Sequence, residues 1–161
     1  MNDHKEHAPM TAAKKPSTSD GFSAEERAAM KERAAELKAQ ARGAKGAEKA
    51  AEEKATLLAK IAAMPSPDRE LAERVHAVVT AAAPVLAPKL FYGQPAYAKN
   101  GKVVCFFRSG MGDKERYSTF GFSSEAQLDD DSGMWTTSFA LTGLTSATEA
   151  TITALVKKAV G

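Results

Sequence analysis

Large apolar side chains are spread unevenly along this chain, and their spacing divides it into three stretches. Residues 1–22 are dominated by Lys, Ser, Thr, Pro and His with few bulky apolar positions. Such a stretch cannot bury enough surface to offset the entropy of ordering, which predicts a disordered tail. Over residues 23–56 the strong helix formers Ala, Glu, Lys and Arg dominate, and Met30 and Leu37 are the large apolar residues. So thin a stripe predicts an arm that is solvent-exposed or only partly helical. Ser23 followed by Glu26 has the spacing of a capping box, and Gly43 and Gly46 are expected to interrupt the helix.

Residues 57–161 carry the periodicities of a folded domain. Leu57, Leu58, Ile61 and Met64 recur at helical spacing and predict a docking segment. In Pro65-Ser66-Pro67, Ser66 is expected to cap a new helix with Pro67 at its first position. Leu71, Val75, Val78, Val79 and Ala82 give that helix one apolar face, and Pro84 and Pro88 end it. Leu90–Tyr92 and Ala96–Ala98 read as strand pieces flanking Gly93-Gln94-Pro95. Asn100-Gly101 is a type I′ hairpin signal leading into Val103–Arg108. A glycine-bearing turn from Ser109 to Asp113 precedes Arg116–Phe122, where alternation places Ser118, Phe120 and Phe122 on one face. Met134–Leu141 reads as a last strand. Ser146 with Glu149 reads as a second capping box, opening a helix striped by Ile152, Leu155, Val156 and Ala159. The predicted fold class is α+β: an N-terminal helix, an antiparallel β-sheet meander and a C-terminal helix, preceded by an Ala/Lys/Glu-rich partly helical arm.

Composition sharpens where the core lies. A hydrophobic fraction of 43% overstates the core, because alanine supplies much of it. Of eleven aromatic residues all but Phe22 follow residue 90. Net charge is +2, with 12 Lys/Arg against 10 Asp/Glu in residues 1–63 and 10 against 10 in residues 64–161. Neither half carries the basic footprint of a dedicated nucleic-acid binder, so such a partner would be engaged only through residues 1–56. The single cysteine, Cys105, excludes an intrachain disulfide and a cysteine-based zinc cluster. No apolar run has signal-peptide character or approaches the roughly 18–20 residues of a membrane span, so the expected location is cytoplasmic, with no membrane partner.

Candidate chemistry is sparse. Cys105, with Val103 and Phe107 expected on its face, reads as a buried, unreactive thiol. His76 falls at the edge of an apolar stripe and would titrate near neutrality if exposed. His4 and His7 lie in the tail at a spacing of three. Asp129, Asp130 and Asp131, with Glu125 just before them, are hard-cation ligands by type, or else an acidic surface loop. Tyr92-Gly93-Gln94-Pro95-Ala96-Tyr97 offers aromatic walls and a polar amide, the makings of a small-ligand pocket in which Tyr92, Gln94, Tyr97 and Trp135 are the candidate binding residues. The alternative is structural use of the same string as a bulge or strand corner. Gly110-Met111-Gly112 joins strand to strand, without the following helix a phosphate loop requires. Nucleophile, base and orienting group do not assemble in any motif, so no enzyme is expected.

The strings Phe91–Tyr97, Asn100–Val104, Tyr117–Phe122 and Met134–Leu141 together resemble the YdhG-like family, small bacterial proteins most of which are filed as a domain of unknown function. The resemblance covers about residues 57–161, with Gln94 in place of an expected methionine and Thr136 in place of a proline. It implies a helix, an antiparallel sheet and a terminal helix. It also implies a non-enzymatic binding module for an unknown small ligand or metal ion. Some members are proposed as frataxin-like iron chaperones, presenting iron from an acidic ridge on the first helix. The matching helix here carries Asp68, Glu70 and Glu73 beside Arg69 and Arg74, so iron would recruit those carboxylates or Asp129–Asp131. The alternative is an interaction protein whose arm folds on a protein or nucleic-acid partner.

Overall fold

A computed structural model describes residues 23–161, and the expected tail of residues 1–22, with His4 and His7, lies outside it. The described chain divides into two compact units between Lys45 and Gly46. Helix α1 runs over Ala24–Ala62, 39 residues, or about 58 Å at 1.5 Å per residue. Its first turn is capped as the sequence predicts, Glu26 N donating to Ser23 Oγ at 3.1 Å. Gly43 and Gly46 do not interrupt it. Each costs about 1 kcal/mol against alanine, which a long run of Ala, Lys and Glu around them absorbs.

The second unit, Gly46–Gly161, holds the rest of the secondary structure. Helix α2 spans Asp68–Ala82 and helix α3 spans Ser146–Ala159. Between them lie strands β1 (Ala87–Phe91), β2 (Gln94–Lys99), β3 (Lys102–Arg108), β4 (Ser118–Phe122) and β5 (Ser138–Leu141). They form one antiparallel sheet in sequence order, and the architecture is α+β as expected. Register aligns Tyr97, Cys105 and Phe122 in one row and Phe107, Phe120 and Phe139 in the next. These side chains meet Leu57 and Ile61 of α1, Leu71, Val75 and Val79 of α2, and Ile152 and Val156 of α3 in a single core. Complete burial of a side chain such as Phe107 contributes roughly 1.5–3 kcal/mol.

Several local expectations shift. The first hairpin turns at Tyr92-Gly93, whose φ values of 49° and 74° have the signs of a type I′ turn, so Gln94 and Pro95 belong to β2 rather than to a loop. Asn100 and Gly101 repeat the pattern with φ of 51° and 81°, as predicted. A bulge makes Val104 the extra residue between the pairs Tyr97–Cys105 and Ala98–Val103. Val104 and Cys105 therefore both enter the core, and Val103, expected there, does not. Ser66 does not cap α2. The N-cap is Pro67, after a cis Ser66–Pro67 bond, and Ser66 Oγ instead donates to Glu70 Oε1 at 2.5 Å. The box opening α3 pairs Thr145 with Thr148, one residue before the expected Ser146–Glu149 pair. Strand β5 starts at Ser138, four residues later than Met134.

Candidate functional site

The turn between β3 and β4 is held by a carboxylate that lies 41 residues before Ser109 in the chain. Asp68, the first residue of α2, is 4% exposed. Its Oδ2 accepts from Ser109 Oγ at 2.5 Å and from Met111 N at 2.9 Å. Ser109 Oγ in turn accepts from Gly112 N at 3.1 Å, and Ser109 N donates to Gln94 Oε1 at 3.4 Å. Gly110 N donates to Ser118 Oγ at 3.0 Å. A buried charge is tolerated only when hydrogen bonds replace its water, and these donors supply them. Gly110 is required by space: a Cβ there would stand 2.2 Å from the carbonyl oxygen of Tyr117.

Beside this network opens a cleft of about 260 Å³. The end of α1 and the segment after it give Lys60, Met64 and Pro65, β2 gives Gln94, and the turn gives Ser109, Gly112 and Asp113. Gln94 Oε1 is engaged by a backbone donor, so its amide nitrogen is the group left to a ligand. Lys60 is exposed and, among the described residues, has no ion-pair partner. Asp113 lies 3.5 Å from Arg108 Nε. That nitrogen is buried without a hydrogen bond, so the two approach as ions without hydrogen-bond alignment. A larger groove of about 400 Å³ between α2 and α3 is lined by four alanines and Val78 together with polar and charged residues. Its main charges satisfy each other, since Arg74 donates to Glu149 from Nε and an Nη at 2.5 and 2.8 Å. This pairing holds the Glu149 carboxyl below its ordinary range and the Arg74 guanidinium above its own.

The structure separates the residues singled out in the sequence. Gln94 lines the cleft. Tyr97 is fully buried, its hydroxyl 3.0 Å from His76 Nδ1, and burial pushes its pKa up. Tyr92 is 89% exposed at its turn, with its ring edge-on to Phe91. Trp135, 41% exposed, lines none of the cavities described. Tyr92, Tyr97 and Trp135 are therefore not brought together around Gln94 in that cleft. Asp129, Asp130 and Asp131 are exposed, and Asp130 Oδ1 accepts from Ser132 N at 3.3 Å. Among the described residues no three His, Cys, Asp or Glu side chains are grouped to hold a metal ion. Of the expected ridge, Asp68 faces inward and Glu70 is taken by Ser66, whose hydroxyl is the main cause holding its carboxyl below the usual range.

Cys105 is fully buried, and burial pushes its thiol up to about 12. Burial, with a smaller contribution from Lys54, pushes the His76 imidazole below its usual range. Lys60, Asp68, Ser109 and Asp113 were not foreseen as one group. The available signal was a serine and two glycines in a β-turn plus an aspartate at a helix start, residue types that usually serve only the local backbone. Among the described residues no helix is long and apolar enough to cross a membrane. Comparison with protein-family models, curated proteins and solved structures gives no match.

Proposed function

We propose that residues 57–161, within the compact unit Gly46–Gly161, form a non-enzymatic binding module of the YdhG-like kind, whose small ligand occupies the cleft beside Gln94. The observation that carries this reading is the bond chain from Asp68 through Ser109 to Gln94. It spends a buried carboxylate on fixing one turn, and that turn forms one wall of a cleft lined by Lys60 and Gln94; among the described residues neither Lys60 nor the Gln94 amide nitrogen has a protein acceptor. Preorganised polar groups over an apolar wall are what a ligand site needs. The ligand form is favoured over the iron form because the donors here are nitrogen and hydroxyl groups with one carboxylate, a poor set for a hard cation. The reading as a binder is supported by the placement of the two most reactive side chain types, since Cys105 is sealed in the core and His76 is engaged by Tyr97.

The test is a small-molecule screen followed by amide NMR shifts on the full chain. Saturable shifts of the Gln94 side-chain amide, Ser109 and Gly112 support the reading. Hits that move other residues only, or no hits, overturn it. A second reading, in which the arm captures a macromolecular partner, is favoured by one observation. Residues 24–56 of α1 are all exposed apart from half-buried Glu53. Deleting residues 1–56 should then abolish partner capture and leave residues 57–161 folded, and unchanged capture would count against it.

A further inference from the structure

Resting on the site reading above, we infer that the cleft selects a small monocarboxylate with a short aliphatic body. Three formal charges surround it: Lys60 and Asp113 on its walls, and Arg108 at 3.5 Å from Asp113. Asp113 is thereby offset before any ligand arrives, and the balance left to the ligand is one positive charge, on Lys60. The amide of Gln94 points the same way. Because Ser109 N fixes Oε1 as acceptor, Nε2 is presented as a donor. An ammonium and an amide donor on one cleft match the two oxygens of a carboxylate, which an amine or an alkane cannot offer them. The remaining wall is apolar, made by Ala63, Met64 and Pro65. At about 260 Å³ the volume falls below the roughly 300–1,000 Å³ of sites for drug-sized ligands, which limits the body to a few carbons.

The experiment compares four probes, each of four carbons, by NMR titration of the full chain at constant ionic strength: butyrate, 4-aminobutyrate, butylamine and butanol. Butyrate is expected to give saturable shifts at Gln94, Ser109 and Gly112, with affinity improving about two- to fourfold per methylene from acetate upward until the wall is filled. Lys60→Met should weaken butyrate by about two- to fivefold, the range of an exposed ion pair, while Lys157→Met, in the α2–α3 groove, should not change it. Lys60→Gln repeats the first measurement should Lys60→Met prove unstable. Equal binding by butanol or butylamine overturns the inference while leaving the site in place. Tighter binding by 4-aminobutyrate shows Asp113 open to a ligand ammonium and overturns it too. If a broad library reports the cleft and butyrate does not, the carboxylate inference alone falls. If nothing reports the cleft, the site reading falls with it.

Discussion

Ser109 and Asp68 lie 41 residues apart and share a 2.5 Å hydrogen bond, so the start of α2 and the β3–β4 turn are fastened at one buried oxygen. Asp68→Ala leaves the Ser109 hydroxyl and the Met111 N–H without their acceptor. The expected loss is about 2–4 kcal/mol of unfolding free energy, measured by urea denaturation. Asp68→Asn retains one acceptor oxygen and should lose less. Equal stability of wild type and Asp68→Ala would remove the role assigned to this bond.

Two neighbouring glycines should behave oppositely. At Gly110 an added Cβ meets Tyr117 backbone atoms at 2.2 and 2.4 Å, and backbone cannot step aside. Gly110→Ala is expected to cost about 3 kcal/mol or more. At Gly112 the nearest atom is Ser109 Oγ at 3.3 Å, so Gly112→Ala should cost under about 1 kcal/mol. Thermal melts of the two variants read the difference directly.

Alkali should unfold the domain through Cys105 and Tyr97. Both groups have folded pKa values raised by burial, from 9.0 to about 12 for the thiol and upward from 10.0 for the phenol. The unfolded chain releases these protons first, so stability is fully present below pH 9 and falls as pH rises toward 12. Each group adds a slope of up to about 1.4 kcal/mol per pH unit. Cys105→Ala should flatten the first part of the decline. At neutral pH a thiol reagent should label Cys105 only at the rate of opening.

Acid should act through His76. Its folded pKa is depressed, chiefly by burial, from an ordinary 6.5. The unfolded chain therefore takes up the proton first, and stability present above pH 6.5 declines as pH falls toward the folded value. Histidine NMR titration should show a midpoint below 6.5. Lys54→Ala, which removes a smaller contributor, should move that midpoint slightly upward.

The element types were legible because each rests on a local rule. The α2 stripe, the Asn100-Gly101 turn and the alternation of Ser118, Phe120 and Phe122 all carry their periods in plain order. Positions that depend on a distant partner were not legible. The bulge at Val104 answers to its pairing with β2, and Glu149 gave up the expected capping role to meet Arg74, 75 residues away. Tyr92-Gly93 was hard to read as a turn because tyrosine is an unusual residue at φ of 49°. Of the candidate site, Asp68 was anticipated only as an exposed carboxylate of an acidic ridge, and Gln94 as a ligand contact. Its companions come from four segments, and what joins them is the side-chain chemistry of Asp68 and Ser109, which leaves no period in the sequence.

The sheet of five strands, each hydrogen-bonded to its neighbour in sequence, also bears on how the domain is made. Closing Tyr92-Gly93 and then Asn100-Gly101 brings three strands together at small loop cost, as two short turns in series. The entropically expensive step is left to the helices. Arg74 meeting Glu149 and Lys99 meeting the Val160 carbonyl span 75 and 61 residues. The core is complete only when Leu57 and Ile61 of α1 pack on the sheet together with α2 and α3. The long-range contacts, rather than the first two hairpin turns, therefore carry most of the loop-closure cost of folding.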